Sequence, residues 1–285
     1  MNAKVKIGII QMEILSDIFD REVRKKNIDK AIELITHLCE TNQLDMVVLP
    51  EEFYSGSGYG PISMPDSLET VEAEVIGRFG EIAKKNQVYI AGELLAKHDK
   101  TEFKSNNTGF VIDRNGKLAG YQERLHLNSR EEDFCLNGSS YKIFELDFGK
   151  VALVLGVDLL YPEVARNFVL KGAEILVSPI LSPGGRRGDG GKALFLNTLF
   201  SNCAIARAME NQAFVVMVNG VGDYAHVEKN IFGESLSAGP LGKIYQAGQE
   251  ELTAVVELDV SDKMEADRQI QLLEMRSREN CRIVD

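Results

Sequence analysis

VALVLGVDLLYPEVAR, residues 151–166, joins an apolar run to the start of a helix. The run from Val151 to Leu155 has the continuity of a strand buried on both faces. Pro162 suits the first turn of a helix, where the backbone N–H has no partner within the helix. The bend between the two carries Gly156 and Asp158. This strand–turn–helix unit predicts an α/β protein.

Strand-like and helical segments alternate on the N-terminal side of this unit. Residues 4–11 and 45–50 are apolar runs typical of interior strands. Residues 22–42 carry apolar side chains at helical spacing, which predicts a helix between these strands. Residues 71–86 predict a second helix, and residues 88–92 predict a further strand.

The pattern then changes to hairpins and returns to alternation. Residues 108–113, the Asn115-Gly116 turn and the residues from Leu118 predict a β-hairpin. The glycine-rich stretch 182–191 lacks phosphate-loop spacing, and we interpret it as a surface loop. The C-terminal half predicts strands at 173–178 and 214–219, a helix at 195–211, and two strands, 234–238 and 252–260, paired around a turn at 240–242. We therefore expect a single α/β domain over residues 1–285, with a tail from about residue 270.

Composition restricts the class of function. The chain has 285 residues and a net charge of −11, and a nucleic-acid partner is not expected because phosphates require a cationic face. No apolar stretch approaches the roughly 20 residues that span a bilayer, and the strand-like run that begins at Val5 leads us to expect no signal peptide. The four cysteines fit no metal-ligand spacing and predict free thiols, so a cytoplasmic location is expected. No pattern calls for a metal or a cofactor.

Three segments carry a resemblance to a known family. Residues 47–52 (VVLPEE) end an apolar strand in Pro-Glu, residues 120–127 (GYQERLHL) end in His-Leu, and residues 155–166 combine Asp with Pro-Glu and Arg. Together with residues 172–179, 207–212, 233–235 and 240–242, these segments resemble the nitrilase superfamily of carbon–nitrogen hydrolases, in the family's order and over nearly the whole chain.

The resemblance implies a fold and a site. The family folds as a four-layer α-β-β-α sandwich with mixed sheets, and it hydrolyses carbon–nitrogen bonds with a Glu, a Lys and a Cys. It implies Glu51 as the first carboxylate and Glu131 as a second one on the loop after His-Leu. It also implies assembly as a homodimer or a higher homo-oligomer.

The chain departs from the family at two positions. Alignment of Asp158 and Pro162-Glu163 with the family's elbow puts Gly156 where the cysteine should stand, and glycine cannot form a covalent acyl intermediate. The lysine position falls on Glu123 when counted from Tyr121 and on Arg124 when counted from His126. We favour Arg124, because a cation there keeps the sign of the site, although arginine cannot give up a proton.

Three hypotheses about function remain open. The first is a pseudoenzyme that binds a small amide, amine or carboxylate without turnover. The second is an enzyme with non-covalent acid–base chemistry, in which Glu51 and Glu131 act together with Glu123 or Arg124. The third is an amidase that uses Cys135, which lies on the loop after Glu131, as a relocated nucleophile.

Overall fold

The computed structural model describes residues 1–15, 21–54, 56, 68–97, 105–128, 131–133, 135–186, 194–224 and 229–277. The fold is built on two six-stranded sheets that face each other, and a pair of helices packs against the outer face of each sheet. The structure also contains a small three-stranded sheet. The arrangement is the four-layer α-β-β-α sandwich with mixed sheets that the resemblance predicted.

The first sheet has its three parallel strands in the middle of the strand order. These are β1 (Lys4–Gln11), β2 (Met46–Val48) and β3 (Tyr89–Lys97). The hairpin β4 (Ser105–Ile112) and β5 (Leu118–Glu123) extends the sheet beside β3, as the Asn115-Gly116 turn predicted. On the opposite edge, β15 (Leu252–Asp259) pairs antiparallel with β1.

The second sheet mirrors this plan. Its parallel strands are β7 (Gly149–Leu153), β8 (Ile175–Ile180) and β10 (Phe214–Asn219). Antiparallel strands complete it: β6 (Phe144–Leu146) beside β7, then β13 (Leu236–Gly239) and β14 (Gly242–Gln246) beyond β10. The small sheet contains β9 (Pro183–Arg186), β11 (Val221–Tyr224) and β12 (Lys229–Phe232).

The helices cover the outer faces. Helices α1 (Arg21–Thr41) and α2 (Leu68–Asn86) pack on the first sheet, and α3 (Pro162–Leu170) and α4 (Leu194–Asn211) pack on the second. A further helix, α5 (Val260–Gln269), directly follows β15. None of the helices in the described ranges is long and apolar enough to cross a bilayer.

Strand alternation divides the core into three layers. In β7 and the residues after it, Val151, Leu153 and Leu155 point between the two sheets, while Ala152 and Val154 point toward α3 and α4. Successive side chains of a strand point to opposite faces, so a continuous apolar run is required wherever both faces are covered. This explains why the run from Val151 to Leu155 is apolar without interruption.

Two of the predicted connections were wrong. The turn at 240–242 joins β13 to β14, whereas β15 lies in the other sheet, beside β1. Local turn chemistry indicates that a chain reverses but not which distant strand it pairs with. In addition, residues 183–186 of the predicted surface loop form β9, and residues 187–191 lie outside the described residues.

Candidate functional site

The polar residues at the ends of several strands meet in one buried cluster. Glu51 follows β2 after Leu49 and Pro50, Arg124 follows β5, and Gly156 opens a short 3₁₀ helix just after β7. Glu131 begins another 3₁₀ turn. We call Arg124, Glu51, Glu131 and Glu93 the Arg124 cluster.

Arg124 lies at the centre of this cluster and is only 2% exposed. Its Nη1 donates to Glu51 Oε1 at 2.5 Å, and its Nη2 donates to Glu131 Oε1. The same Nη1 lies 3.8 Å from Glu93 Oε1. Because a buried charge is costly unless it is paired, the two bonded carboxyl groups hold this guanidinium in place.

Backbone and amide donors fix the two bonded carboxyl groups. Leu181 N donates to Glu51 Oε2 at 2.8 Å. Glu131 Oε2 accepts from Asn128 N at 2.8 Å, and Glu131 Oε1 accepts from Asn107 Nδ2 at 3.1 Å. These bonds come from three separate segments, so the positions of the carboxyl groups depend on the whole fold rather than on one loop.

Gly156 lies directly against the guanidinium. Its φ of +50° is in the left-handed region that side-chain-bearing residues rarely adopt. A Cβ built on its backbone would lie 2.5 Å from Arg124 Nη1 and 3.0 Å from Glu51 Oε2. The guanidinium thus occupies the space that any side chain at residue 156 would need.

Glu123 does not join the cluster. Its carboxyl group accepts from Asn106 Nδ2, and its Cα pairs with Thr108 in the β4–β5 ladder. Successive side chains along an extended segment point to opposite sides, so Glu123 and Arg124 cannot both point inward. The structure therefore brings Glu51, Arg124, Glu131 and Gly156 together and places the Glu123 carboxyl group outside this cluster, against Asn106.

Glu93 is the residue that sequence reasoning missed. It lies in β3, it is 0% exposed, and neither of its oxygens has a hydrogen-bond partner among the described residues. Burial raises the pKa of Glu93 well above its ordinary value of 4.5, and the Glu51 carboxyl raises it further, while Arg124 opposes both. A glutamate inside the otherwise apolar run from Tyr89 to Leu95 was the available signal.

The other charged groups respond to the same surroundings. Burial raises the pKa of Glu51, and the Arg124 guanidinium opposes this rise. Burial lowers the pKa of Arg124, but the carboxyl groups of Glu51, Glu93 and Glu131 outweigh it, so that pKa is raised well above its ordinary value. Arg124 therefore keeps its charge at every accessible pH.

Asp158 supports the segment that carries Arg124. Its Oδ2 accepts from Leu125 N at 2.9 Å, and its Oδ1 accepts from His126 N at 2.8 Å. The His126 Nδ1 also lies 2.8 Å from Oδ1, and the imidazole stacks on Tyr161 with ring centroids 3.9 Å apart. The bend after β7 thus fixes the backbone that follows Arg124.

Cys135 lies near the cluster but is an unfavourable nucleophile. It is 1% exposed, and its Sγ lies 3.3 Å from Ser105 Oγ. Burial raises the pKa of this thiol to about 12, and the Glu131 carboxyl adds to the rise. Since the thiolate is the reactive form, this environment suppresses nucleophilic attack.

The cluster is not arranged as a metal site. Within the described ranges, no group of three or more His, Cys, Asp or Glu side chains is placed to hold a metal ion. The guanidinium of Arg124 already bonds to the oxygens of Glu51 and Glu131 that a cation would use.

Comparison with known proteins points to carbon–nitrogen hydrolases in sequence and in fold. The carbon–nitrogen hydrolase family matches residues 6–268. A probable nitrilase of Schizosaccharomyces pombe is 28% identical over 237 residues, which cover 83% of each chain. An omega-amidase of Mus musculus is 25% identical over 281 residues, which cover 95% of this chain and 94% of that protein. The crystal structure of a carbon–nitrogen hydrolase from Helicobacter pylori G27 superposes with a TM-score of 0.86 at 23% identity, covering 98% of this chain and 97% of that one.

Proposed function

This chain belongs to the carbon–nitrogen hydrolase family, and we propose that it binds a small molecule at the Arg124 cluster without hydrolysing it through a covalent intermediate. The ligand classes that the family suggests are an amide, an amine or a carboxylate. The proposal concerns the two positions where the resemblance expects a cysteine and a lysine, which we assign to Gly156 and Arg124.

The interlocking of these two residues is the observation that carries the proposal. A Cβ at residue 156 would lie 2.5 Å from Arg124 Nη1, so a cysteine could not be restored there while the guanidinium keeps its place. Conversely, the absence of a side chain at Gly156 leaves the room in which the guanidinium lies. Because the two residues fit each other in space, we interpret them as one joint adaptation of the site and not as two unrelated losses.

The remaining groups lack the chemistry of covalent hydrolysis. Glycine offers no electron pair to a carbonyl carbon, and an acyl intermediate needs such a nucleophile. A guanidinium can stabilise negative charge, but it does not exchange protons in the accessible pH range. Loss of a nucleophile from a catalytic unit typically removes most of its rate enhancement.

Two measurements test the proposal together. The purified protein is incubated with short aliphatic amides, nitriles and carbamoyl amino acids, while product release and the intact mass are followed. The comparison protein carries Gly156→Cys and Arg124→Lys together, because the cysteine needs the space that the guanidinium fills. We expect no release and no adduct from the natural chain, and measurable release from the double variant. Hydrolysis by the natural chain at the rate of the double variant would refute the proposal.

The ligand itself is best sought in protein purified gently from its source. Native mass spectrometry should show an added mass that is retained by the folded chain and lost on denaturation.

A second candidate function, non-covalent acid–base catalysis, has one observation in its favour. Burial, together with the neighbouring Glu51 carboxyl, raises the pKa of Glu93 well above its ordinary value, whereas Glu51 is held by Arg124 and Leu181 N. Neighbouring carboxyl groups whose pKa values the surroundings push apart are the usual arrangement of an acid and a base, and the bonds from Arg124 and Leu181 N oppose the rise that burial causes in the pKa of Glu51. Under this alternative, a retained ligand would be converted with time, and Glu51→Gln would abolish the conversion.

The third hypothesis, a relocated nucleophile at Cys135, has the structure against it, since burial raises the pKa of this thiol to about 12. We expect iodoacetamide to alkylate Cys135 in the unfolded chain and to leave it unmodified in the native protein at pH 8, as read by peptide mapping. Rapid alkylation in the native state, with loss of an amidase activity, would instead favour this hypothesis.

A further inference from the structure

Glu93 is buried in a place where a carboxyl group needs a partner. It lies on the face of β3 that points between the two sheets, since Ala91 on that face packs there and Leu94 packs toward α1 and α2. Both oxygens lack a hydrogen bond to any described residue. A buried polar group without a partner costs about 1–3 kcal/mol, and a charged one costs more.

Other unsatisfied groups belong to the same cluster. Asn107 donates its Nδ2 to Glu131, but its Oδ1 has no partner among the described residues, nor does Arg124 Nε. Asn107 lies two residues from Gly109, which pairs with Glu93 across the β3–β4 ladder, so both side chains are on one face of the sheet. In the part of the chain that the structure describes, three acceptor oxygens and one donor in and beside the Arg124 cluster thus have no hydrogen-bond partner.

The charges of the cluster determine what it can bind. The groups that act most strongly on Glu93 are one guanidinium, that of Arg124, and the carboxyl groups of Glu51, Glu52 and Glu131. The guanidinium is already bonded to Glu51 and Glu131. The carboxyl groups would repel a carboxylate ligand. They would attract a cation, and the N–H donors of that cation could bond to the oxygens of Glu93.

We propose that Glu93 is a ligand-binding residue and that the ligand presents a cationic N–H donor, an amine or an amidine, to Glu93 and Asn107 Oδ1. This inference rests on the proposed function and selects one of its three ligand classes. The ligand supplies the hydrogen bond that Glu93 lacks among the described residues, and it adds a positive charge beside the Arg124 guanidinium, whose Nη1 lies 3.8 Å from Glu93 Oε1.

The test uses three four-carbon probes of similar size and different charge: butylammonium, butyramide and butyrate. Binding to the full-length protein is measured by calorimetry and by the shift in Tm. We expect butylammonium to bind most tightly and butyrate not to bind. Glu93→Gln, which keeps the volume and removes the charge, should weaken butylammonium binding by roughly tenfold or more, the effect of one charge-assisted hydrogen bond.

Glu123→Gln is the matched control, because Glu123 lies in the same sheet, in β5, and its carboxyl group bonds to Asn106 outside the cluster. It should bind butylammonium as the natural protein does. Tighter binding of butyrate than of butylammonium, no binding of butylammonium, or equal binding by Glu93→Gln would each overturn the inference. The three-probe comparison needs no variant, so misfolding of Glu93→Gln cannot hide the result. Hydrolysis of butyramide would instead contradict the proposed function, and the two failures are therefore distinguishable.

Discussion

Asp158 and Glu93 are both buried carboxyl groups close to Arg124, yet their surroundings differ completely. Burial is the largest cause of the raised pKa in both. Asp158 accepts hydrogen bonds from Leu125 N, His126 N and the His126 imidazole. Glu93 accepts none from the residues that the structure describes, and its closest cation is 3.8 Å away.

The difference separates a structural role from a functional one. Asp158 is satisfied within the protein, so its burial serves to hold the segment after Arg124. Glu93 has no hydrogen-bond partner among the residues that the structure describes, and such groups are retained in native structures where something else completes them. The four predictions below test this separation, beginning with the largest expected effect.

Replacing Arg124 by Met should cause the largest loss of stability. The variant leaves the carboxyl groups of Glu51 and Glu131 buried without their cation, which should lower the free energy of unfolding by about 3–5 kcal/mol at neutral pH. Urea unfolding measures this loss. It should shrink at acidic pH, where the Glu51 carboxyl group, whose pKa burial raises, becomes protonated and no longer needs the cation.

Arg114 provides the control for that loss. It also bonds to two carboxylates, those of Asp45 and Asp147, but its side chain is partly exposed. Arg114→Met should cost about 1 kcal/mol, because solvent screens exposed ion pairs. Equal losses in the two variants would show that the Arg124 cluster is not a special environment.

Replacing Asp158 by Ala should rank second, at about 3 kcal/mol. The variant leaves the N–H groups of Leu125 and His126 without their acceptor in a partly buried segment, next to the buried Arg124. Asp113 is a suitable control, since it also accepts from two backbone N–H groups, those of Asn115 and Lys117, but in an exposed turn. Asp113→Ala should cost about 1 kcal/mol. If Asp158→Ala lowered the free energy of unfolding no more than Asp113→Ala does, Asp158 would not be a structural support for the segment after Arg124.

The sequence predicted the local structure around Asp158, but it did not predict the burial of Glu93. Residues 151–166 predict a strand, a bend and a helix, because the signals for these elements lie within a few residues of one another. The family framework likewise brought Glu51, Arg124, Glu131 and Gly156 to attention.

The interactions that sequence reasoning missed are long-range. Glu93 reads as an ordinary solvent-exposed glutamate until the fold covers both faces of β3. The pairing of β15 with β1 joins residues about as far apart as the chain allows, and nothing in either strand specifies the other. The contact between Gly156 and the guanidinium also depends on two sheets meeting, so spacing could suggest the two positions but not that they fill one space.

The third prediction concerns that contact and is smaller, about 2 kcal/mol. Gly156→Ala adds a Cβ against Arg124 Nη1 at a φ of +50°, so it combines backbone strain with crowding. In a chain that also carries Arg124→Lys, the crowding is relieved, and the cost of Gly156→Ala should fall by about 1 kcal/mol in a double-mutant cycle. The control is Gly77→Ala in α2, where a Cβ meets nothing within 4 Å and should stabilise the helix slightly. Strict additivity would remove the interlocking on which the proposed function depends.

The last prediction distinguishes Glu93 from Asp158 by pH alone. A carboxyl group whose pKa is raised on folding binds its proton more tightly in the folded state, so its contribution is fully present below the ordinary value of 4.5 and is lost as the pH rises through the folded pKa. Gln at residue 93 cannot titrate and escapes this loss. Relative to the natural protein, Glu93→Gln should therefore gain stability above pH 4.5, by at most about 1.4 kcal/mol per pH unit. Asp158→Asn should show a smaller gain with rising pH, because the three hydrogen bonds that favour the charged form of Asp158 oppose the effect of burial and limit the rise in its pKa. Matching pH profiles for the two variants would mean that Glu93 is satisfied after all, and the ligand assigned to it would lose its physical basis.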